Sequence, residues 1–291
     1  MPTFSVDEDE ACFKLIDLAL QEDLNDDGDR TTSAIIVADS QGEAAFVART
    51  AGVIAGLPAA QRAINAIEMA LDWTLLVNEG AVVEPGTTLA VVKGPLRAIL
   101  IGERTALNFV QRMSGVATLT RKYVEAVKGT KAKVLDTRKT IPGWRILDKY
   151  AVRMGGGTNH RMGLFDGFLI KDNHLASLDD PENAVIRAVE LARKARGSRR
   201  WPIEIEVDTL VQLEQALSVK PDIVLLDNMT VEQLRTSVDR RDLLAPGTLL
   251  EASGGVNLQT IRAIAETGVD RISVGAITHS APALDIALDY V

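Results

Sequence analysis

The stretch WPIEIEVDTLVQLEQALSVKPDIVLLDN, residues 201–228, decides the fold. Two short β-rich apolar runs, Ile203–Val207 and Ile223–Leu226, flank a segment with helical periodicity. A strand, a helix and a second strand in so short a span read as a parallel βα unit feeding the next. Working outward, the pattern recurs. Runs at Lys133–Asp136, Phe165–Ile170, Leu249–Ala252 and Arg271–Val274 complete a set of six, each followed by a helical stretch, with starts 20–38 residues apart. Such runs suit strands covered on both faces. Six units fall short of the eight of a full β/α barrel, so a reduced, barrel-like α/β fold is expected.

The first 115 or so residues have a different texture. Residues 10–22 place Phe13, Ile16 and Leu20 at helical spacing, with Cys12 beside them as a core residue. Strand-like stretches at Ala44–Arg49, Leu75–Val77 and Leu89–Val92 are separated by Gly and Pro turns, and a helix is expected over Pro58–Leu71. The hairpin-like segment from Glu79-Gly80 through Gly86 and Leu89 lacks the Met-Lys-Met turn of a lipoyl carrier, so it reads as scaffold. Residues 103–128 read as one long helix with Gly115 inside it.

Composition narrows the function. With 46% hydrophobic and 25% charged residues, the 291-residue chain is neither disordered nor collagenous nor a coiled coil. No apolar run reaches the roughly 18 residues that span a bilayer. The acidic start MPTFSVDEDE is not a signal peptide. A single cysteine excludes a disulfide framework and fits a reducing, cytoplasmic setting. The formal charge is −8, but residues 1–29 hold ten acids against Lys14, leaving +1 for the rest. That acidic segment reads as a solvated surface. No global basic field exists to hold nucleic acid.

In parallel α/β folds ligands bind at the carboxyl ends of strands. Those ends here carry Asp136-Thr137-Arg138-Lys139, Lys171-Asp172-Asn173-His174, Glu206, Asp227-Asn228, Ser253-Gly254-Gly255 and Val274-Gly275-Ala276. The last two suit phosphate, because glycine admits close backbone approach and a helix N-terminus would follow, near Leu258 and just after Ala276. Neither GxGxxG nor a Gly-Lys dipeptide occurs, so the dinucleotide fingerprint and the Walker loop are absent.

Residues 136–174 hold seven bases and four acids. Arg145, Lys149 and Arg153 fall within an expected helix and read as ion-paired residues on a solvated face. Arg138, Lys139 and Lys171 fall at strand ends, and Arg161 follows the loop Gly155-Gly156-Gly157-Thr158-Asn159-His160. Cations gathered without matching acids imply a polyanionic ligand, each charge-assisted contact contributing about 1.5–3 kcal/mol. His160, between those glycines and Arg161, reads as a substrate contact. Glu206 and Asp227 suit Mg²⁺, directly or through water, or ribose hydroxyls. Three scattered His and one Cys make zinc improbable, and His279 has no identifiable partner.

The segments GERTALNFVQRMSG (102–115), DTRKTIPGWR (136–145), GGGTNHRMGLFDGFLIKDNH (155–174), LLDN (225–228) and SVGA (273–276) together resemble the quinolinate phosphoribosyltransferase family. The resemblance implies an N-terminal α/β sandwich domain, 1–115, plus a C-terminal open (β/α)6 barrel-like domain, 116–280. The chain end, 280–291, is a candidate to pack with the first. It implies quinolinate and phosphoribosyl pyrophosphate as substrates, Mg²⁺ as cofactor, and a homodimer with shared active sites; a larger assembly of dimers is left open. Arg104 would reach the other subunit's site. Arg138, His160, Arg161 and Lys171 would hold the two carboxylates, with Thr137 beside them. Lys139 would face pyrophosphate. Glu206 and Asp227 would meet ribose and Mg²⁺. Ser253, Gly254, Gly255, Val274, Gly275 and Ala276 would cradle the 5-phosphate. Lys139, Lys171, Glu206 and Asp227 are the expected catalytic set.

Three alternatives stand beside this reading. One is a relative with another acceptor, nicotinate or that of a molybdenum-associated homologue; the set of five cationic groups argues against a monocarboxylate. Another is a Schiff-base aldolase using Lys171, and the third a non-catalytic phosphoribosyl-binding module.

Overall fold

The computed structural model describes residues 4–69 and 71–291. Along the chain run α1 (Val6–Leu24), α2 (Arg30–Ile35), β1 (Gln41–Ala48), β2 (Gly52–Val53), α3 (Leu57–Asn65), β3 (Asp72–Leu75), β4 (Val82–Val83), β5 (Thr88–Pro95) and α4 (Leu96–Ala126). Then follow β6 (Lys133–Leu135), α5 (Arg145–Met154), β7 (Phe168–Ile170), α6 (Asp172–Ala176), α7 (Ala184–Arg196), β8 (Ile203–Val207) and α8 (Leu210–Val219). The chain ends with β9 (Ile223–Asp227), α9 (Val231–Leu244), β10 (Leu249–Ser253), α10 (Ile261–Ala265), β11 (Arg271–Ser273), α11 (Ala276–His279) and β12 (Ile286–Tyr290). Two compact units result. One holds the chain up to Arg121 with Thr140–Gly156 and Ile277–Val291; the other holds Lys122–Lys139 and Gly157–Ala276. The expected boundary at 115/116 falls inside α4, and the compact units interleave because Thr140–Gly156 and Ile277–Val291 return to the first.

The first unit is built on an antiparallel sheet of order β12-β1-β5-β3, with β2 and β4 as a separate pair. The chain end joins it, Ala48 opposite Ile286 and Ala44 opposite Tyr290. α4 starts seven residues earlier than the expected helix, directly after β5. Gly115 within it has a packing reason: a Cβ there would lie 2.0 Å from the carbonyl oxygen of Pro282. α3 stops at Asn65, short of the helix expected to Leu71; residue 70 of that span lies outside the described residues.

Two expectations about charge are corrected here. The acidic N-terminal segment is not wholly solvated. Ser5 and Glu8 form a capping box, Ser5 N–H donating to Glu8 Oε2 at 2.7 Å, and Glu8 is buried against Arg153. On α5, Lys149 is 0% exposed rather than solvated. Residues Leu147 to Val152 are all buried, so the helix has no wet face there, and polarity at 148 and 149 does not mark exposure. Asp148 is accommodated by Arg112, whose Nη2 donates to both carboxylate oxygens at 3.0 and 3.1 Å. Cys12 is buried as expected, and burial pushes its thiol up to about 12, which makes it inert.

The second unit carries one parallel sheet of order β6-β11-β10-β9-β8-β7. The barrel is not closed, because β6 and β7 are both edges. Along the β6 edge lies the segment before Arg161: Thr158 N–H donates to Val134 O at 2.8 Å and bridges to Leu135. Register sets Glu206, Leu225 and Glu251 abreast on β8, β9 and β10. Glu204 and Glu206, two apart on β8, share one face. Among the described residues no helix is long and apolar enough to cross a membrane.

Candidate active site

Fourteen of the fifteen expected site residues belong to the second unit and sit at or beyond the carboxyl ends of its strands. Arg104 alone belongs to the first unit, exposed on α4. Beyond β6, Thr137 Oγ1 accepts the Lys139 N–H at 3.0 Å, and Arg138 and Lys139 turn outward, exposed. Asp136 is buried beneath them. Its Oδ1 accepts the His160 N–H at 2.8 Å and its Oδ2 accepts from Asn159 Nδ2 at 2.6 Å, so one carboxylate ties the glycine-rich loop to β6. Arg161 follows, its Nη1 donating to Gly167 O at 3.2 Å. Burial, then the charge of Arg138, holds Arg161 below its ordinary pKa. Two guanidiniums therefore share one electrostatic field, as a site for anions requires.

Lys171 caps β7 and is exposed; its Nζ donates to Glu206 Oε2 at 2.7 Å across from β8. Asp227 ends β9, half-buried, and its Oδ2 accepts from Asn228 Nδ2 at 2.7 Å. Ser253 lies abreast of Asp227, and Ser253 O accepts the Asn228 N–H at 2.9 Å. Gly254 then passes so close to Asn228 that an added Cβ would lie 2.2 Å from its Oδ1, and its φ of +94° also demands glycine. The helix expected near Leu258 begins later, at Ile261, and is only five residues long. Asn257 accounts for the delay: its Oδ1 accepts the Gln259 and Thr260 N–H groups, making a turn before the helix. Val274 N–H donates to Leu135 O at 2.8 Å, and α11 begins at Ala276, directly after Gly275.

Beneath these ends His160, expected as a substrate contact, meets two acids to which sequence reasoning gave no role. His160 Nε2 faces Glu204 Oε2 at 3.1 Å and Glu251 Oε1 at 3.3 Å, both carboxylates being buried. Arg271 Nε donates to Glu251 Oε2 at 2.6 Å. His160 Nδ1 accepts the Arg161 N–H at 2.7 Å. Burial raises the Glu204 pKa above the usual carboxylate range. Burial would raise Glu251 too, but its hydrogen bond to His160 and the nearby positive charges bring it below that range. Burial disfavours a charged His160 and the two glutamates favour one; the Arg161 N–H accepted at Nδ1 leaves no room for a second ring proton, so the ring is held neutral. The three donor atoms lie within 4.8 Å of one another, a spacing a metal could use. The tautomer argues otherwise. Nδ1 takes the Arg161 N–H, so a neutral ring carries its proton on Nε2 and has no lone pair there for a metal. The available signal was an acid inside an apolar strand run, IEIEV or LLEAS.

With this geometry in place, similarity to known proteins can be stated. Residues 29–114 match the model of the quinolinate phosphoribosyl transferase N-terminal domain, and residues 116–289 match that of the C-terminal domain. The chain belongs to the quinolinate phosphoribosyl transferase family. It is 46% identical over 273 residues to the nicotinate-nucleotide pyrophosphorylase [carboxylating] of Mycobacterium leprae, covering 93% of this chain and 94% of that protein. The solved nicotinate-nucleotide pyrophosphorylase of Francisella tularensis matches with a TM-score of 0.86 at 40% identity, covering 97% of this chain and 96% of that one. That of Ehrlichia chaffeensis matches with a TM-score of 0.89 at 38% identity over the full length of both chains.

Proposed function

We propose that this family member transfers a phosphoribosyl group to quinolinate in NAD biosynthesis. The products are nicotinate mononucleotide, pyrophosphate and CO₂. The observation that carries this reading is the shared field of Arg138 and Arg161 beside a strand-end Lys171. Such a field suits a dicarboxylate. Arg138, Arg161 and Lys171 neutralise the two carboxylates and aim the ring nitrogen at ribose C1, an orientation worth roughly 7–11 kcal/mol of barrier. Thr137 holds the turn that carries Arg138 and Lys139. The nitrogen–C1 bond forms as the bond from C1 to pyrophosphate breaks. Lys139 faces the departing pyrophosphate. Glu206 and Asp227 stabilise positive charge developing on the ribose. Ser253 to Gly255 and Val274 to Ala276 cradle the 5-phosphate. The C2 carboxylate then leaves as CO₂; the electron pair stays at C2 beside the cationic nitrogen, and a solvent proton replaces it. No protein nucleophile is required.

Glu206 and Asp227 are oxygen donors on adjacent strand ends, which fits Mg²⁺ held by one or two carboxylates together with substrate phosphates. When bound, that ion supplies positive charge against pyrophosphate. We further propose a homodimer in which Arg104 serves the neighbour's site, and a cytoplasmic setting. The acceptor assignment is tested by comparing kcat/KM for quinolinate and nicotinate. Quinolinate should win by at least about tenfold, since nicotinate forfeits a charge-assisted contact. Preference for nicotinate would overturn it. For the shared site, Arg104→Ala and Lys171→Ala chains in mixed dimers should recover activity; confirmed mixed dimers that stay inactive would count against it.

A further inference from the structure

A second concentration of positive charge lies at the opposite end of the parallel sheet from the strand-end chemistry. Residues 184–201 hold six bases, Arg187, Arg193, Lys194, Arg196, Arg199 and Arg200, against one acid, Glu190. That balance is steeper than the one over 136–174, in less than half the length. Part of it has a structural reason. Arg193, Lys194 and Arg196 lie in the last turn of α7, where cations suit the negative end of a helix. Arg193 Nη2 also donates to Lys220 O at 2.6 Å, at the end of α8. Arg196 Nη1 donates to Asp222 Oδ2 at 2.7 Å, and the same oxygen accepts the Ile203 N–H at 2.7 Å. Arg199 and Arg200 have no such reason. Both lie beyond the helix, exposed, and neither makes an ion pair among the described residues.

We propose that Arg196, Arg199 and Arg200 form, with Trp201, Pro202 and Asp222, a binding site for the diphosphate group of a small metabolite, either free pyrophosphate or a nucleoside diphosphate. These residues line a cavity of 450 Å³, within the roughly 300–1,000 Å³ that small ligands occupy. Gly197 ends α7 at a φ of +58°, and the Arg199 N–H donates to Arg196 O at 3.2 Å, so a tight turn keeps the three arginines together. Asp222 is matched by Arg196, which leaves two positive charges open. A monoanion would leave one of them unanswered. A diphosphate answers both, and the guanidinium fork suits phosphate oxygens. Arg199 lies over the Trp201 ring, 4.8 Å from its centroid, which holds one of the two open charges at the cavity. The indole also offers a wall against which a base can rest. Trp201 precedes β8 and Asp222 precedes β9, whereas Glu206 and Asp227 stand toward the far ends of those strands, roughly 15 Å along them. An anion held here leaves the strand-end site open.

Tryptophan emission of the full chain tests this, because Trp201 lines the cavity and reports on it locally. At low ionic strength ADP should change that emission and saturate at or below about 1 mM. Trp201→Phe, which leaves Trp73 and Trp144, should lose the change. AMP, one phosphate short, should bind at least about tenfold more weakly than ADP. Arg200→Ala keeps the Arg199 contact with Trp201 and should weaken ADP at least about tenfold. Its kcat with quinolinate and phosphoribosyl pyrophosphate should stay within about twofold, because the two sites share no residue. Pyrophosphate should displace ADP, and the comparison separates the two sources. ADP tighter by about fivefold or more assigns the pocket to a nucleoside diphosphate, through stacking on Trp201; pyrophosphate as tight or tighter assigns it to free diphosphate. No change in emission with ADP, a change that survives in Trp201→Phe, AMP equal to ADP, undiminished binding by Arg200→Ala, or no displacement by pyrophosphate would each overturn the proposal. The emission readout needs no turnover, so it decides the pocket whatever acceptor the strand-end site takes.

Discussion

Lys171 Nζ donates to Glu206 Oε2 at 2.7 Å, so the cation assigned to the acceptor and the acid assigned to ribose form one ion pair across β7 and β8. On the proposed roles, quinolinate would have to draw Lys171 away from Glu206, which would release the carboxylate for the second substrate. Glu206→Gln should therefore leave quinolinate affinity unchanged or tighten it by no more than about tenfold, a small gain because Lys171 is half exposed and screened. The same change should lower kcat by at least about a hundredfold through lost charge stabilisation. Calorimetric titration with quinolinate beside steady-state rates checks both; weaker quinolinate binding would contradict the pairing.

Gly254 offers a test of the phosphate cradle. Its φ of +94° and the 2.2 Å approach to Asn228 Oδ1 leave no room for a side chain. Gly254→Ala should cost about 1–3 kcal/mol of stability. It should also raise KM for phosphoribosyl pyrophosphate about tenfold or more, as loss of a charge-assisted contact does. Quinolinate affinity, measured calorimetrically without the second substrate, should not move.

Gly115 tests the fold of the first unit. A methyl group there would lie 2.0 Å from Pro282 O, so the segment leading to β12 must shift. Although alanine is the better helix former, Gly115→Ala should lower Tm by at least about 2 °C. A rise in Tm would show that this close approach does not exist in solution.

Asp270 gives the pH dependence a sign. Burial would raise its pKa, but the Leu250 N–H, Lys131 and Arg241 outweigh burial and hold it below the ordinary 3.8. A depressed acid adds stability above its unfolded pKa and loses it as pH falls through its folded pKa. Asp270→Asn should therefore be less stable than the unmodified chain at pH 7, with the gap narrowing as pH drops below 3.8. Thermal melts from pH 7 to pH 3 measure this; a gap that widens with acid would refute it.

The parallel strands were legible because both their faces are covered, so runs of apolar, β-branched residues mark Ile203–Val207, despite its two glutamates, and Ile223–Leu226. The same cue overshot at β7. Phe165 reads as strand, yet it is exposed in a turn where Asp166 accepts the Met162 and Gly163 N–H groups at 2.7 and 3.0 Å, and the strand starts only at Phe168. Strand-end chemistry was legible for the same topological reason: a parallel sheet collects its ligands at one end. Burial of charge was not. Lys149 within the buried run Leu147–Val152, and Glu204, Glu251 and His160 meeting from three places in the chain, depend on tertiary approach that local pattern does not encode.

Quinolinate labelled in its 2-carboxylate, incubated with this protein, phosphoribosyl pyrophosphate and Mg²⁺, tests the assigned activity most directly. Labelled CO₂, nicotinate mononucleotide and pyrophosphate should appear in equal amounts. Retention of the label in the nucleotide product, or turnover with nicotinate but none with quinolinate, would contradict it.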